Sequence, residues 1–348
     1  MVLVCGDHSE AVTAFLGSRL NALRIDHLVL DLGAVHDAHS VEWSWRNGRP
    51  SGSISCAAWR VGFDELTGVY FRNTLLDEPD DEEENSEATG YGYPRTNPQI
   101  AAALNYLPCR VVNRPIATYT NCSKPYQALI IRRFDFKIPK TVITNDPEAA
   151  LRFYSECEGK VIFKSISGVR SIVRLMDKED LARLALLENC PTQFQEYIPG
   201  DNIRVHVIGE RLFAVRIRCA SVDYRYAGQD GYARTIVPAK LPENVDIKCI
   251  RLTRALGLAM SGIDLKETPA GEYYCFEVNT SPAFPFYESP ARPVVADALA
   301  EFLAGRDNKS ALLFGDCCPG NSFAVDQRFG VGDHLGPKMP GLRSEREI

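Results

Sequence analysis

The stretch Gly262-Ile263-Asp264-Leu265, resumed after Pro269-Ala270-Gly271 by Tyr274-Cys275-Phe276-Glu277-Val278-Asn279-Thr280-Ser281-Pro282, decides how this chain is read. It predicts two strands joined by a short turn. Side chains alternate faces along an extended strand, so Glu277 and Asn279 share a face, and Asp264 on the neighbouring strand can join them. Phe276 and Val278 are then expected to bury the opposite face. Two carboxylates and an amide oxygen beside an apolar core form a hard-cation ligand set, one that leaves Mg²⁺ partly hydrated for the phosphates of a nucleotide. A hairpin with a wet polar face is the plainer reading of the same residues.

The rest of the composition is that of a globular protein. At 348 residues, with 45% hydrophobic and 24% charged residues, the chain can build two or three lobes with real cores. A net charge of −6 argues against general binding to nucleic acid or to an anionic membrane. The 11 cysteines are scattered, with Cys317-Cys318 adjacent and no CxxC pair, which reads as free thiols rather than a disulfide framework or zinc site. No signal peptide or membrane-spanning run is evident, and the expected location is cytoplasmic.

The N-terminus predicts a β-α-β unit: strand Val2–Cys5, a helix carrying Val12, Phe15, Leu16, Leu20 and Leu23, and strand His27–Leu30. Val41–Trp45 and Ser53–Trp59 read as a hairpin about Asn47-Gly48. Another strand is expected at Gly68–Arg72. The acidic run Asp77–Glu87 reads as a solvated loop. From Ala128 a helix leads to strand Thr141–Ile143, a helix capped by Asp146 with Pro147 in its first turn, and strand Lys160–Lys164. A helix is expected over Leu181–Leu187. Strands follow at Gln193–Ile198, Ile203–Ile208 and Leu212–Cys219, the last two joined by Gly209-Glu210. Helix Val245–Leu256 precedes the opening stretch, and helix Val294–Leu303 closes the chain before an irregular tail from Asp307 to Ile348.

Several residues suit anion chemistry. Lys164 ends an apolar strand and opens Ser165-Ile-Ser167-Gly168-Val-Arg-Ser171, where backbone N–H groups and the ammonium can bind phosphate oxygens. Lys124 is a second candidate of the same kind. Gln195-Glu196-Tyr197-Ile198 enters the turn Pro199-Gly200-Asp201, a segment able to present backbone groups to an adenine edge and Asp201 to a ribose. Arg204, Arg216, Arg218 and Arg225 cluster in one region. Arg216 and Arg218 share a strand face within Ala-Val-Arg-Ile-Arg-Cys-Ala, a placement that favours either a solvated sheet face or an anion clamp.

Taken together, Lys164 with its Ser/Gly loop, the Gln195–Ile198 segment, Asp201-Asn-Ile-Arg204-Val-His-Val and Asp264…Glu277-Val-Asn279 resemble the ATP-grasp fold. The resemblance is to the branch of ribosomal-protein glutamate ligases, glutathione synthetases and microviridin-type (graspetide) peptide cyclases, and covers roughly Lys124 to Leu303. It implies an α/β (α+β) architecture: an N-terminal pre-grasp domain over 1–115, an ATP-grasp domain over 116–306 with lobes at about 125–195 and 196–306, and a tail over 307–348.

The resemblance also implies a reaction, in which ATP phosphorylates a carboxylate and an amine or alcohol displaces phosphate from the acyl phosphate. Lys124 and Lys164, with Ser167 and Gly168, would hold phosphates. The backbone of Gln195, Glu196, Tyr197 and Ile198 would hold adenine, and Asp201 the ribose. Asp264, Glu277 and Asn279 would ligate one or two Mg²⁺ ions, with Mn²⁺ as a substitute. Arg218, or Arg216 one pleat away, would stabilise the transferring groups, while Arg204 and Arg225 would serve phosphate or a substrate carboxylate.

The expected partner is an amino acid or small peptide. A ribosomal precursor peptide is the alternative, and a nucleotide-binding regulator without turnover a second one. Relatives that pair through their N-terminal and central lobes suggest a homodimer. The loop after Lys164 has fewer glycines than many members, and Thr280-Ser-Pro-Ala-Phe-Pro-Phe-Tyr287 is nearer the glutamate-ligase pattern. Asp223-Tyr224-Arg225 resembles the cyclase side.

Overall fold

The computed structural model describes residues 1–32, 39–46, 48–72, 98–166, 173–219, 221–222, 224, 233–289 and 291–307. The acidic run, most of the tail, Ser167, Gly168 and Arg225 lie outside these.

The N-terminal strands His27–Asp31, Val2–Gly6, Gly68–Phe71 and Arg110–Val112 form, in that order, a parallel sheet. Every residue of Val2–Gly6 is buried, as expected for a parallel strand covered on both faces. Val2 and Val4 face helix Ala11–Ala22 through Leu16 and Leu20, whereas Leu3 and Cys5 join Val69, Ile100 and Leu104 in a second core. The predicted hairpin pairs Ser40–Arg46 with Arg49–Ser55 about Gly48 (φ +73°). Its second strand stops at Ser55 rather than Trp59, and a short third strand, Arg60–Gly62, adds to it.

Two antiparallel sheets follow. The first runs Arg174–Leu175, Val161–Ser165, Thr192–Glu196, Thr141–Thr144. Behind it packs helix Pro147–Glu156, whose N-cap Asp146 accepts from the Glu148 N–H at 2.9 Å. The second runs Arg234–Ala239, Arg211–Cys219, Asp201–Ile208, Met260–Glu267, Tyr273–Asn279. Helix Glu243–Ala255 covers one face of it through Val245, Cys249 and Leu252. The Gly209 turn (φ +58°) joins two of its strands as expected. Helix Lys124–Arg133 begins earlier than the apolar pattern suggests, because Ser123 caps it and Pro125 fits its first turn. The helix expected over Leu181–Leu187 is instead a short helix Lys178–Ala182 followed by a 3₁₀ segment, Leu184–Asn189.

The closing helix Val294–Leu303 packs into the N-terminal core: Val295, Leu299 and Phe302 meet Leu16, Leu20 and Val2, together with Ile208 and Met260 of the third sheet. Asp307, where an irregular tail was expected to begin, accepts from Arg110. Among the described residues no helix is long and apolar enough to cross a membrane. Leu299→Ala, in this shared core, is expected to cost about 2–5 kcal/mol by urea unfolding.

Candidate nucleotide and metal site

A cavity of about 820 Å³ opens between the two antiparallel sheets. Lys164, Gln193, Gln195 and Thr141 line it from one wall, Tyr274, Cys275 and Phe276 from the other, and Lys124 and Arg132 from the helix between them. Lys164 and Gln193 are register partners, so their side chains leave the sheet on the same face. The alternate residues Phe163 and Phe194 turn away into the core behind.

Gln193 and Gln195 are 4% and 5% exposed, and the Oε1 of each has no hydrogen-bond partner. The orientation of Gln195 follows from its neighbours. The Thr141 hydroxyl donates to the Pro139 carbonyl at 3.1 Å and therefore accepts from Gln195 Nε2, also at 3.1 Å. Gln195 thus presents an acceptor, waiting for a donor. Beyond it, the Glu196 and Tyr197 N–H groups are used by the Lys140 and Lys160 carbonyls at 2.9 Å each. The Ile198 N–H has no partner among the described residues. Lys266 lies over the Tyr197 ring at 5.1 Å, and burial lowers its pKa.

The cavity wall ends at Phe276, next to the expected metal ligands. Asp264 is the register partner of Glu277, and Gly262 that of Asn279, so the three candidates do share a face. The expectation for Phe276 fails. A β-bulge sets Phe276 and Glu277 against the single residue Asp264, leaving Cys275 and Val278 as the buried pair and Phe276 on the cavity. Asn279 Oδ1 accepts from the Ser281 N–H at 2.9 Å, which fixes the amide. Among the described residues no three His, Cys, Asp or Glu side chains gather as a metal cluster. Two carboxylates and one amide oxygen still fit a hard cation such as Mg²⁺ whose remaining positions are filled by phosphate and water.

Arg204 also lies on this face, in register with Asp264. It is 4% exposed; its Nη1 donates to both Asp264 oxygens at 2.8 and 2.9 Å, and its guanidinium stacks on Tyr287 at 5.1 Å. A Cβ at Gly262 would come within 2.6 Å of Pro282 Cβ and closer still to Arg204 Nη2, so glycine is needed there. Tyr287 shares a hydrogen bond of 3.0 Å with Tyr224, whose own pKa is raised by burial. His206, beside Arg204, is held neutral by burial and by the neighbouring charge.

Arg216 and Arg218 do not join this group. Arg216 pairs in register with Ile203, one residue out of phase with Arg204, which turns it to the helix-covered face. There Arg216 donates to Asp201 at 2.8 Å and to Glu267, and Arg218 donates to Asp201 at 3.3 Å. Arg216, Arg218, Asp201 and Glu267 thus form an ion cluster beside the hinge. Sequence pattern missed Gln127, Gln193, Lys266 and Tyr287; the even spacing of Gln193 and Gln195 was the one signal available.

Residues 123–303, more than half of the chain, match the RimK-like ATP-grasp domain, and the chain belongs to that family. It is 25% identical over 236 residues to a probable alpha-L-glutamate ligase of Rhodopirellula baltica, spanning 62% of this chain and 57% of that protein. The chain spans little more than half the length of the first curated relatives it matches. Among solved structures, the ATP-grasp ligase PsnB complexed with minimal precursor, Mg and ADP superposes with a TM-score of 0.69 at 25% identity, covering 88% of this chain and 97% of that one. The macrocyclase MdnC of Microcystis aeruginosa MRC, bound with precursor peptide MdnA, shares the fold at a TM-score of 0.67 and 22% identity, over 87% of this chain and 99% of that one.

Asp201 offers a pH test of the ion cluster. The Arg216 hydrogen bond, opposed by partial burial and aided by Arg218, lowers its pKa. A carboxylate depressed on folding contributes stability above its unfolded value of about 3.9 and loses it as pH falls through the lower folded value. Asp201→Asn is expected to be less stable than the parent at pH 7, with the difference shrinking below about pH 4 in thermal melts.

Proposed function

We propose that the protein is an ATP- and Mg²⁺-dependent, ADP-forming ligase that activates a carboxylate as an acyl phosphate and joins it to the amine of an amino acid or small peptide. The observation that carries this reading is the continuity of the site. Lys124, Lys164, Gln193 and Gln195 line a cavity whose opposite wall leads directly to the Asp264, Glu277 and Asn279 face.

On this reading the exocyclic amine of adenine donates to Gln195 Oε1, and the Ile198 N–H reaches a ring nitrogen. Lys124 and Lys164 neutralise phosphate oxygens, and Asp264, Glu277 and Asn279 hold the metal. Bound Mg²⁺ supplies charge neutralisation and alignment of the phosphates. The γ-phosphoryl group passes to a substrate carboxylate oxygen and ADP leaves. The amine nitrogen then attacks the acyl carbon, the carbon–oxygen bond to phosphate breaks, and the amine proton is lost to solvent. Such transfer depends on positioning and charge stabilisation rather than on a protein nucleophile. Arg204, dry and already paired with Asp264, orients that carboxylate. Its unpartnered Nε is a further donor on the same face.

Modification of a ribosomal precursor peptide is the second reading, favoured by the likeness to PsnB with its minimal precursor. The domain limits 1–115 and 116–306, a homodimer and a cytoplasmic setting are part of the proposal. The described cysteines are free, and burial pushes the Cys109 thiol up to about 11.

The deciding assay is ADP and phosphate release from Mg-ATP with pooled amino acids and small peptides and, separately, with pooled precursor peptides carrying a leader, with mass spectrometry of the products. ADP formation that requires an acceptor and yields a condensation mass supports the ligase, and the pool that responds separates the two readings. ATP binding with no ADP under any acceptor would point instead to a regulator. Glu277→Gln is expected to lower ADP formation by about 100-fold or more while leaving the melting temperature nearly unchanged. Lys164→Ala is expected to weaken ATP binding, measured by calorimetry; an unchanged affinity would remove Lys164 from the phosphate site.

A further inference from the structure

Among the described residues strand Tyr273–Asn279 is the last of its sheet, with no strand on its outward side. Its outward backbone groups are met from the segment that links the helix of Lys124 to the nucleotide-facing sheet. The Cys275 N–H donates to the Lys137 carbonyl at 2.8 Å. At Val278 a side chain takes the place of a strand: Gln127 Nε2 donates to the Val278 carbonyl at 2.8 Å, and Gln127 Oε1 accepts from the Val278 N–H at 2.7 Å. The backbone partners fix which end of the amide is which. Gln127 is 3% exposed, so neither bond can be replaced by bulk water.

Val278 stands between Glu277 and Asn279, and the bulge at Phe276 lies between the two anchors. An edge strand with a bulge would otherwise be free to shift its pleat, and a shift of one residue would turn both ligands away. Gln127 belongs to helix Lys124–Arg133, three residues on from Lys124.

We propose that Gln127 is a positioning residue: its amide locks the backbone between the two metal ligands and ties that strand to the helix carrying a phosphate lysine. The proposal rests on the reading of Lys124, Asp264, Glu277 and Asn279 as the nucleotide–metal site. Gln127 itself touches neither ligand nor nucleotide and acts only through Val278.

The test uses Gln127→Met, which keeps the length of the side chain and removes both hydrogen bonds. Gln127→Glu is the second variant; it keeps the acceptor for the Val278 N–H and sets an oxygen against its carbonyl. Leu252→Ala, in the helix packed on the same sheet and without a hydrogen bond to the edge strand, serves as the stability control. Mn²⁺ binding to the full chain with ADP is read from the electron paramagnetic resonance signal of the free ion. ADP binding in EDTA is read by fluorescence of a labelled analogue.

Loss of a ligand's own outer-shell partner costs about 10- to 100-fold in metal affinity; for Gln127→Met, one step further removed, a loss of about 10-fold is expected, with metal-free ADP affinity unchanged. Gln127→Glu should fall on the same side, and decides the question should Gln127→Met fail to fold. Parent-like Mn²⁺ affinity in the folded variant, with thermal stability lowered as in Leu252→Ala, overturns the proposal and leaves Gln127 a folding residue. Glu277→Gln separates the two levels. If it abolishes Mn²⁺ binding that the parent shows, the site reading stands and the Gln127 variants alone decide. If it matches the parent, the site reading fails and the proposal fails with it.

Discussion

A guanidinium taken almost wholly out of water must find an anion, and Arg204 finds Asp264 on the adjacent strand. Much of the third sheet's open face is arranged around that need. Gly262 has no side chain because the fork of Arg204 occupies the space. Tyr287 covers the guanidinium, Tyr224 holds the Tyr287 hydroxyl, and His206 remains uncharged beside it. Breaking such a pair leaves a buried charge without its partner, a far larger penalty than the pair's own net contribution. The carboxylate of Asp264 is therefore oriented before any metal arrives, and Glu277, its register partner, lies on the same face.

The site also depends on amide side chains performing backbone duties between elements. Gln127 serves as a strand partner for Val278. Asn113, at the end of the N-terminal sheet, donates to the Met260 and Thr280 carbonyls at 2.7 Å each and accepts from the Ala259 and Met260 N–H groups. Arg72, also N-terminal, pairs with Glu10 and donates to the Ser281 carbonyl and hydroxyl. The strand carrying Glu277 and Asn279, and the turn after it, are thus fixed by polar contacts reaching across the chain. Each contact is satisfied at both ends, the condition under which buried polar groups specify one arrangement.

These long-range contacts explain what was legible in the sequence. Local signals translated well: the Asp146–Pro147 helix start, the Gly209 turn and the shared face of Asp264, Glu277 and Asn279 are set by neighbours in sequence or across one hairpin. The bulge at Phe276 was not legible, because Cys275 and Phe276 are both apolar and the sequence does not say which of the two is buried. Nor was the orientation of Arg216. A run of Val-Arg-Ile-Arg offers arginines to one face without saying which, and only the register with Ile203 and Arg204 decides. Gln127 reads as one more polar residue on a helix until the edge strand is seen against it.

The orientation of Arg216 has a consequence for the chemistry. With Arg216 and Arg218 engaged with Asp201 and Glu267, Arg204 is the arginine of this group that lies on the open face. Arg204 is enclosed by aromatic rings rather than by water, so its field is less screened than that of an exposed arginine. Tyr287 carries its edge-on neighbour Phe286, which is itself exposed and covered by Arg234 at 4.3 Å. An apolar and cationic surface therefore continues outward from the Arg204 pair.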